Sequence, residues 1–184
     1  FHKYLTGARG CETPARAPAN RCRMSVIKAQ PLTAEAFAPF GDVLEAAGKP
    51  DMLINNGFCG RYHDRAQLDF GPDGCAGISV FKAEPRALPY KLDMLERHPD
   101  GCQSFIPMSL DAYLVTVAED DNGAPVNIHA FIAGPGQGIN YHRNTWHGVL
   151  TPLAAPGLFT VVDRIGNTPN IEEYLLKTPY TVGR

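Results

Sequence analysis

At 184 residues the chain has the length of one domain of ordinary size, enough to close a barrel or sandwich around a hydrophobic core. Seventeen Lys and Arg against nineteen Asp and Glu leave a formal charge of −2, spread without the basic stripe that tracks phosphates, so nucleic acid is excluded as an expected partner. The longest apolar runs, residues 113–118 and 158–162, fall far short of the ~20 residues a membrane helix requires, so no membrane span is expected.

Residues 1–23 are rich in Arg, Ala and Pro, carry one acid, Glu12, and hold no apolar stretch able to act as a signal-peptide core. They read as an appendage outside the fold, with Met24 as a natural start and an Arg-rich organelle-targeting segment as the weaker alternative. Residues 24–184 are then expected to form a single domain. A short strand is predicted over residues 26–29, and Thr33 is placed to cap a helical turn through Phe37 that Pro39, Phe40 and Gly41 end. Strand runs follow at 42–45, 78–83, 90–98, 103–106, 113–118, 128–133, 146–150 and 158–164, separated by Gly, Pro, Asn and Asp. Short strands without helical crossovers predict an all-β sandwich or jelly-roll barrel rather than a βαβ sheet. At the tail, Pro169, Asn170 and Glu173 stand as a capping box before Tyr174, Leu175 and Leu176 and predict a helix. The five cysteines, Cys11, Cys22, Cys59, Cys75 and Cys102, are odd in number and lack Cys-x-x-Cys spacing. Neither a disulfide framework nor a structural zinc site is indicated, and a reducing, cytoplasmic setting is expected.

Two short polar clusters carry the candidate chemistry. On the strand at 90–98, alternation puts Tyr90, Leu92, Met94, Glu96 and His98 on one face, so the apolar half that marks the core carries a carboxylate and an imidazole inward. Gln103 follows across a turn at Pro99 and Gly101 and can face the same cavity. The second cluster runs from Gly138 to His147. His147 shares a strand face with Val149, Asn144 occupies a turn position that favours positive φ, and His142 and Arg143 are expected to be solvated. Glu96 with His98 also fits an ion pair at a barrel rim, and His147 a core histidine with a backbone partner.

At these residues the chain resembles the cupins. Glu96, His98, Gln103 and the distant His147 match the spacing of the H-x-H-x4-E and later His that hold a metal in many of them, with Glu96 in place of the first His and Gln103 in place of the Glu. Within that superfamily, Met52-Leu-Ile-Asn-Asn-Gly57 with Arg61-Tyr-His-Asp64, Ser79-Val-Phe-Lys-Ala-Glu-Pro-Arg86, Met94-Leu-Glu-Arg-His-Pro-Asp-Gly-Cys-Gln103 with Phe105-Ile-Pro107, the segment 140–150 and Val161-Val-Asp-Arg164 together look like the ureidoglycolate lyase family, over about residues 26–182. The resemblance implies an all-β cupin-type double-stranded β-helix barrel with few short helices, a homodimer, and cleavage of (S)-ureidoglycolate to glyoxylate and urea in allantoin catabolism.

That chemistry asks for a base at the hydroxyl of a hemiaminal and an acid at the departing nitrogen. His98 and His147 are the candidates, neither assigned as base, with Glu96 and Gln103 as orienting or amide-binding groups. Lys82, on a strand face with Ile78 and Val80, and Arg61, in a loop able to cover the mouth, are candidates for the substrate carboxylate, and Tyr141 for a substrate oxygen. No cofactor is expected to be required, although Glu96, His98, Gln103 and His147 would admit a divalent metal. A metal-dependent oxygenase or isomerase of the same superfamily, or a barrel that only binds a small acid, are the competing readings.

Overall fold

The computed structural model describes residues 25–184; the expected appendage and the start at Met24 lie outside the described residues. The strands are β1 Val26–Lys28, β2 Gln30–Pro31, β3 Gly41–Leu44, β4 Met52–Ile54, β5 Cys59–Arg61, β6 Cys75–Lys82, β7 Tyr90–Arg97, β8 Gln103–Pro107, β9 Tyr113–Asp121, β10 Ala124–Ala133, β11 Gly138–Tyr141, β12 Trp146–His147, β13 Thr151–Pro152, β14 Leu158–Ile165 and β15 Glu172–Gly183. The one α-helical turn, α1 Ala34–Phe37, starts where expected: Thr33 Oγ1 accepts from the Ala36 N–H at 3.2 Å.

One sheet runs β1-β15-β7-β12-β9-β10-β2, with β13 also on β9, and curls until β1 and β15 approach β10. A second sheet, β3-β11-β8-β14-β6, packs across it, and β4 with β5 forms a separate hairpin. The result is mostly β with a near-closed, barrel-like sheet of cupin type. Between the sheets lie Phe37, Phe105, Tyr113, Val115, Val117, Ile139, Phe159 and Val161. Leu92, Leu95, Leu114, Ala118, Ala130, Trp146 and Val182 form a second cluster. Strand β9 feeds both, Tyr113, Val115 and Val117 one way and Leu114 and Ala118 the other, which is why residues 113–118 are nearly continuous in apolar character instead of alternating. Each such side chain contributes roughly 1.5–3 kcal/mol by leaving water.

Four local expectations are overturned. The tail is a strand, not a helix: Glu172–Gly183 pairs antiparallel with β7, Tyr174 and Leu176 pack on the second cluster, and Leu175 between them is 77% exposed, a period of two. The supposed cap, Asn170, instead accepts the Asp100 N–H on its side chain at 2.7 Å. Strand 146–150 stops after His147, because Gly148 presses against β9; a Cβ there would lie 2.1 Å from Thr116 Oγ1. On β7 the even alternation breaks, and Leu95, fully buried, joins Leu92 in the apolar cluster while Met94 is only half-buried. On β6 the inward face is the opposite one: Phe81 pairs with Phe159 and meets Phe105 edge-on at 6.1 Å, whereas Ile78 and Val80 are exposed. Apolar residues on both faces of β6 left the period of two without a direction.

Candidate active site

Three backbone features bring the polar clusters together. Strand β12 lies between β7 and β9, so His147 pairs directly with Glu96. Strand β8 lies between β11 and β14, so Gln103 has Tyr141 on one side and Asp163 on the other. The turn between β11 and β12 is closed by Asn144 at φ 68°, as its residue type predicts, and the Asn144 N–H donates to the His98 carbonyl at 2.9 Å, tying the turn to the end of β7.

Ligating atoms of Glu96, His98 and His147 consequently lie within 4.8 Å of one another. The His98 and His147 rings are 5.1 Å apart, and Tyr141 stacks flat on His147 at 4.1 Å and 7°. His98 Nδ1 lies 2.6 Å from the Asn170 carbonyl and its Nε2 3.1 Å from Gln103 Oε1, while the Gln103 amide N–H reaches Asp163 Oδ2 at 3.5 Å. The Asp163 carboxylate can only accept, so it selects the Gln103 orientation that turns Oε1 to His98, and both His98 nitrogens then face oxygen acceptors. His147 is different: Nδ1 donates to the Gly148 carbonyl at 3.0 Å, and Nε2 is buried with no partner among the described residues.

Burial, with the nearby His98, pushes the His147 pKa down to about 3, so at neutral pH the ring is uncharged and its 3.9 Å approach to Glu96 is not an ion pair. Burial raises the Glu96 carboxyl above its usual range, against the pull of His98. Burial likewise lifts the Tyr141 hydroxyl well above 10, so it stays protonated.

A cavity of about 520 Å3 opens beside the cluster, within the size range of small-molecule sites. Its lining includes the polar Glu96 and Gln103, the cationic Lys82 and Arg86, and the apolar Phe81 and Phe105. Neither His98 nor His147 is on the wall itself. Lys82 is there, at the end of its strand. Arg61 is not: it lies on the exposed β4–β5 hairpin with its guanidinium 2.9 Å from His63 Nδ1. Two residues near the cluster were not singled out for it. Asp163 had a legible signal, since period two on β14 puts it on the face of Phe159 and Val161; Asn170 had none, because it acts through its main-chain carbonyl.

The family model described as ureidoglycolate lyase matches residues 24–183. The chain belongs to the ureidoglycolate lyase family. It is 55% identical to the ureidoglycolate lyase of Rhodobacter capsulatus over 86% of this chain and 99% of that protein. It is 49% identical to the one from Mesorhizobium japonicum, over 86% and 98%, and 46% identical to the one from a Chelativorans species, over 86% and 97%. As a ureidoglycolate lyase family member it has, in Glu96, His98 and His147, a group that could hold a metal ion. Gln103, expected beside them, is hydrogen-bonded to His98.

Proposed function

We propose that this protein cleaves (S)-ureidoglycolate to glyoxylate and urea in allantoin breakdown, as a cytoplasmic homodimer. The observation that carries the reading is the Glu96, His98 and His147 cluster beside a cavity that Lys82 and Arg86 also line. Family membership supports the substrate, the free thiols of Cys59, Cys75 and Cys102 support a reducing compartment, and the exposed Ile78 and Val80 on the outer face of a sheet supply an apolar surface for a second copy.

The substrate carbon bears a hydroxyl, a carboxylate and the ureido nitrogen. Removing the hydroxyl proton lets the C=O bond form as the C–N bond breaks, and the departing nitrogen takes up a proton to leave as urea. Glu96 is the base that meets the substrate, because it stands on the cavity wall and burial strengthens its hold on a proton. His98, one hydrogen bond behind Gln103 on the cavity lining, supplies the proton for urea. His147 sits behind them as a neutral ring whose Nε2 lone pair is buried. Gln103 faces the ureido amide. Acid and base steps of this kind are each worth roughly 10²- to 10⁴-fold.

The same residues fit a divalent cation: an orphaned buried imidazole nitrogen, a second imidazole and a carboxylate are the donor set of a site with open positions. Such an ion, when bound, would supply Lewis acidity at the substrate oxygen. Mixing purified protein with ureidoglycolate without oxygen should release urea and glyoxylate together. No release above the spontaneous rate by folded protein removes the lyase reading, and oxygen consumption would favour an oxygenase.

A further inference from the structure

Arginines in a folded protein normally end on an acceptor, and most of those among the described residues do. Arg65 bonds Asp51, Arg97 bonds Asp120 and Glu172, Arg143 reaches the Pro99 carbonyl, and Arg164 the Phe70 carbonyl. Arg86 makes no side-chain hydrogen bond or ion pair among the described residues. The acid it feels at a distance, Asp93, is held by Lys91 at 2.8 Å. Lys82 is likewise without an ion-pair partner among the described residues, and both cations border the same cavity.

Arg86 is also held in place although it belongs to no strand. Its own N–H donates to the Pro152 carbonyl at 2.8 Å, and the Ala83 N–H donates to the Gly157 carbonyl at 2.9 Å. That second contact requires glycine: Gly157 has φ +63°, and a Cβ there would lie 2.0 Å from the Ala83 carbonyl oxygen. The main chain thus fixes where the guanidinium can reach, and no group among the described residues pairs with it.

We infer that Arg86, together with Lys82, forms a two-cation clamp for the substrate carboxylate, which orients the substrate with its ureido end against Glu96 and Gln103. This rests on the lyase reading and deepens it. An anionic substrate in a cavity lined by the Glu96 carboxylate and by two unpaired cations turns its own carboxylate away from the first and toward the second. The planar guanidinium takes a carboxylate through two parallel N–H bonds, and the ammonium adds a point charge. With the carboxylate held there, the hydroxyl and the C–N bond fall on the side of Glu96 and His98. Arg86 is therefore a binding residue that sets orientation, and Lys82 alone does not carry that role.

Arg86→Met and Arg86→Lys are the test, with urea release followed over a range of ureidoglycolate concentrations and glyoxylate binding followed by calorimetry. Loss of charge-assisted hydrogen bonds to a carboxylate should raise KM about 10- to 100-fold in Arg86→Met with kcat changed several-fold at most, and weaken glyoxylate by a similar factor. Arg86→Lys should recover part of that loss, and urea, which has no carboxylate, should bind both variants as it binds wild type. Unchanged KM and unchanged glyoxylate affinity in folded Arg86→Met overturn the clamp, as does equal weakening of urea and glyoxylate. If wild type releases no urea, the lyase reading fails by itself, and the glyoxylate titration still decides whether Arg86 holds a small carboxylate. Should Arg86→Met not fold, Arg86→Gln replaces it in both measurements.

Discussion

His142 and His147 leave the same turn five residues apart and end in opposite states. His142 Nε2 lies 3.1 Å from Asp42 Oδ1, and the other oxygen of Asp42 accepts the Gln67 N–H and the Asn140 amide, each at 2.9 Å. Asn140, fully buried, also accepts from Ser104 and donates to the Gln67 carbonyl. Every functional group of that cluster has a partner. It fastens the segment around Gln67 across the outside of β3, β11 and β8, and its work is structural. In the other cluster His147 keeps a buried lone pair with no partner among the described residues, Glu96 is half-desolvated, and a cavity opens beside them. An unpaired buried polar atom costs roughly 1–3 kcal/mol, so its retention points to a use in chemistry. Histidine content marks neither region; satisfaction of the polar atoms separates them.

That contrast breaks most sharply at the reacting groups. Glu96→Gln and His98→Ala should each lower kcat by roughly 10²- to 10⁴-fold with circular dichroism and melting little changed. Asn140→Ala should do the reverse. It removes the partners of the Ser104 hydroxyl and the Gln67 carbonyl and leaves Asp42 Oδ2 with the Gln67 N–H alone, so unfolding free energy should fall by about 1–3 kcal/mol in urea titration, with kcat within a few-fold of wild type. A large kcat loss in folded Asn140→Ala, or near-normal rates in both cluster variants, would erase the distinction.

Acid separates the same two regions by pH window. His147 has a pKa of about 3 folded and near 6.5 unfolded, so between those values the unfolded chain binds the extra proton and stability falls as pH drops from 6.5. Glu96, raised by burial, has the opposite sign: it takes its proton first in the folded state and offsets part of the loss. Burial tends to raise the Asp42 carboxyl, but hydrogen bonds from Asn140, the Gln67 N–H and His142 outweigh it and hold it below 3.8. Its contribution is intact above the unfolded value and disappears only as pH falls through the lower, folded one. The stability lost between pH 6.5 and 4.5 should therefore shrink in His147→Phe and persist in Asn140→Ala, as denaturant midpoints at each pH would register.

Much of this was legible before any coordinates. Turn residues bounded the strands, Thr33 capped its turn, and Asn144 took positive φ because the residue types dictate local geometry. Glu96, His98 and His147 could be picked because charged and polar side chains on otherwise apolar strands are informative. The tail misled because Asn170 and Glu173 imitate a helix cap while the edge of β7, which claims Glu172–Gly183, is a long-range feature. The face of β6 misled because Ile78, Val80 and Phe81 are all apolar, and only the partner strand decides which side is inside. Arg86 escaped notice for a related reason, since what singles it out is the lack of a partner, and partners are a property of the fold.

The smallest effect tests how finely the active cluster is tuned. Asp163 reaches Gln103 over 3.5 Å, a weak bond, yet it fixes which end of the Gln103 amide faces His98. In Asp163→Leu the amide is free to turn, and its NH2 in place of Oε1 can then meet His98 Nε2. A hydrogen bond of ordinary net worth, about 0.5–1.5 kcal/mol, corresponds to a two- to tenfold loss in kcat, carried through His98 and visible as a displaced pH–rate profile. Because Asp163 acts only through Gln103, the double variant with Gln103→Leu should be no slower than Gln103→Leu alone. Additive losses in that cycle would mean that Asp163 touches the reaction by another route, and the ordered acceptor facing His98 would lose its explanation.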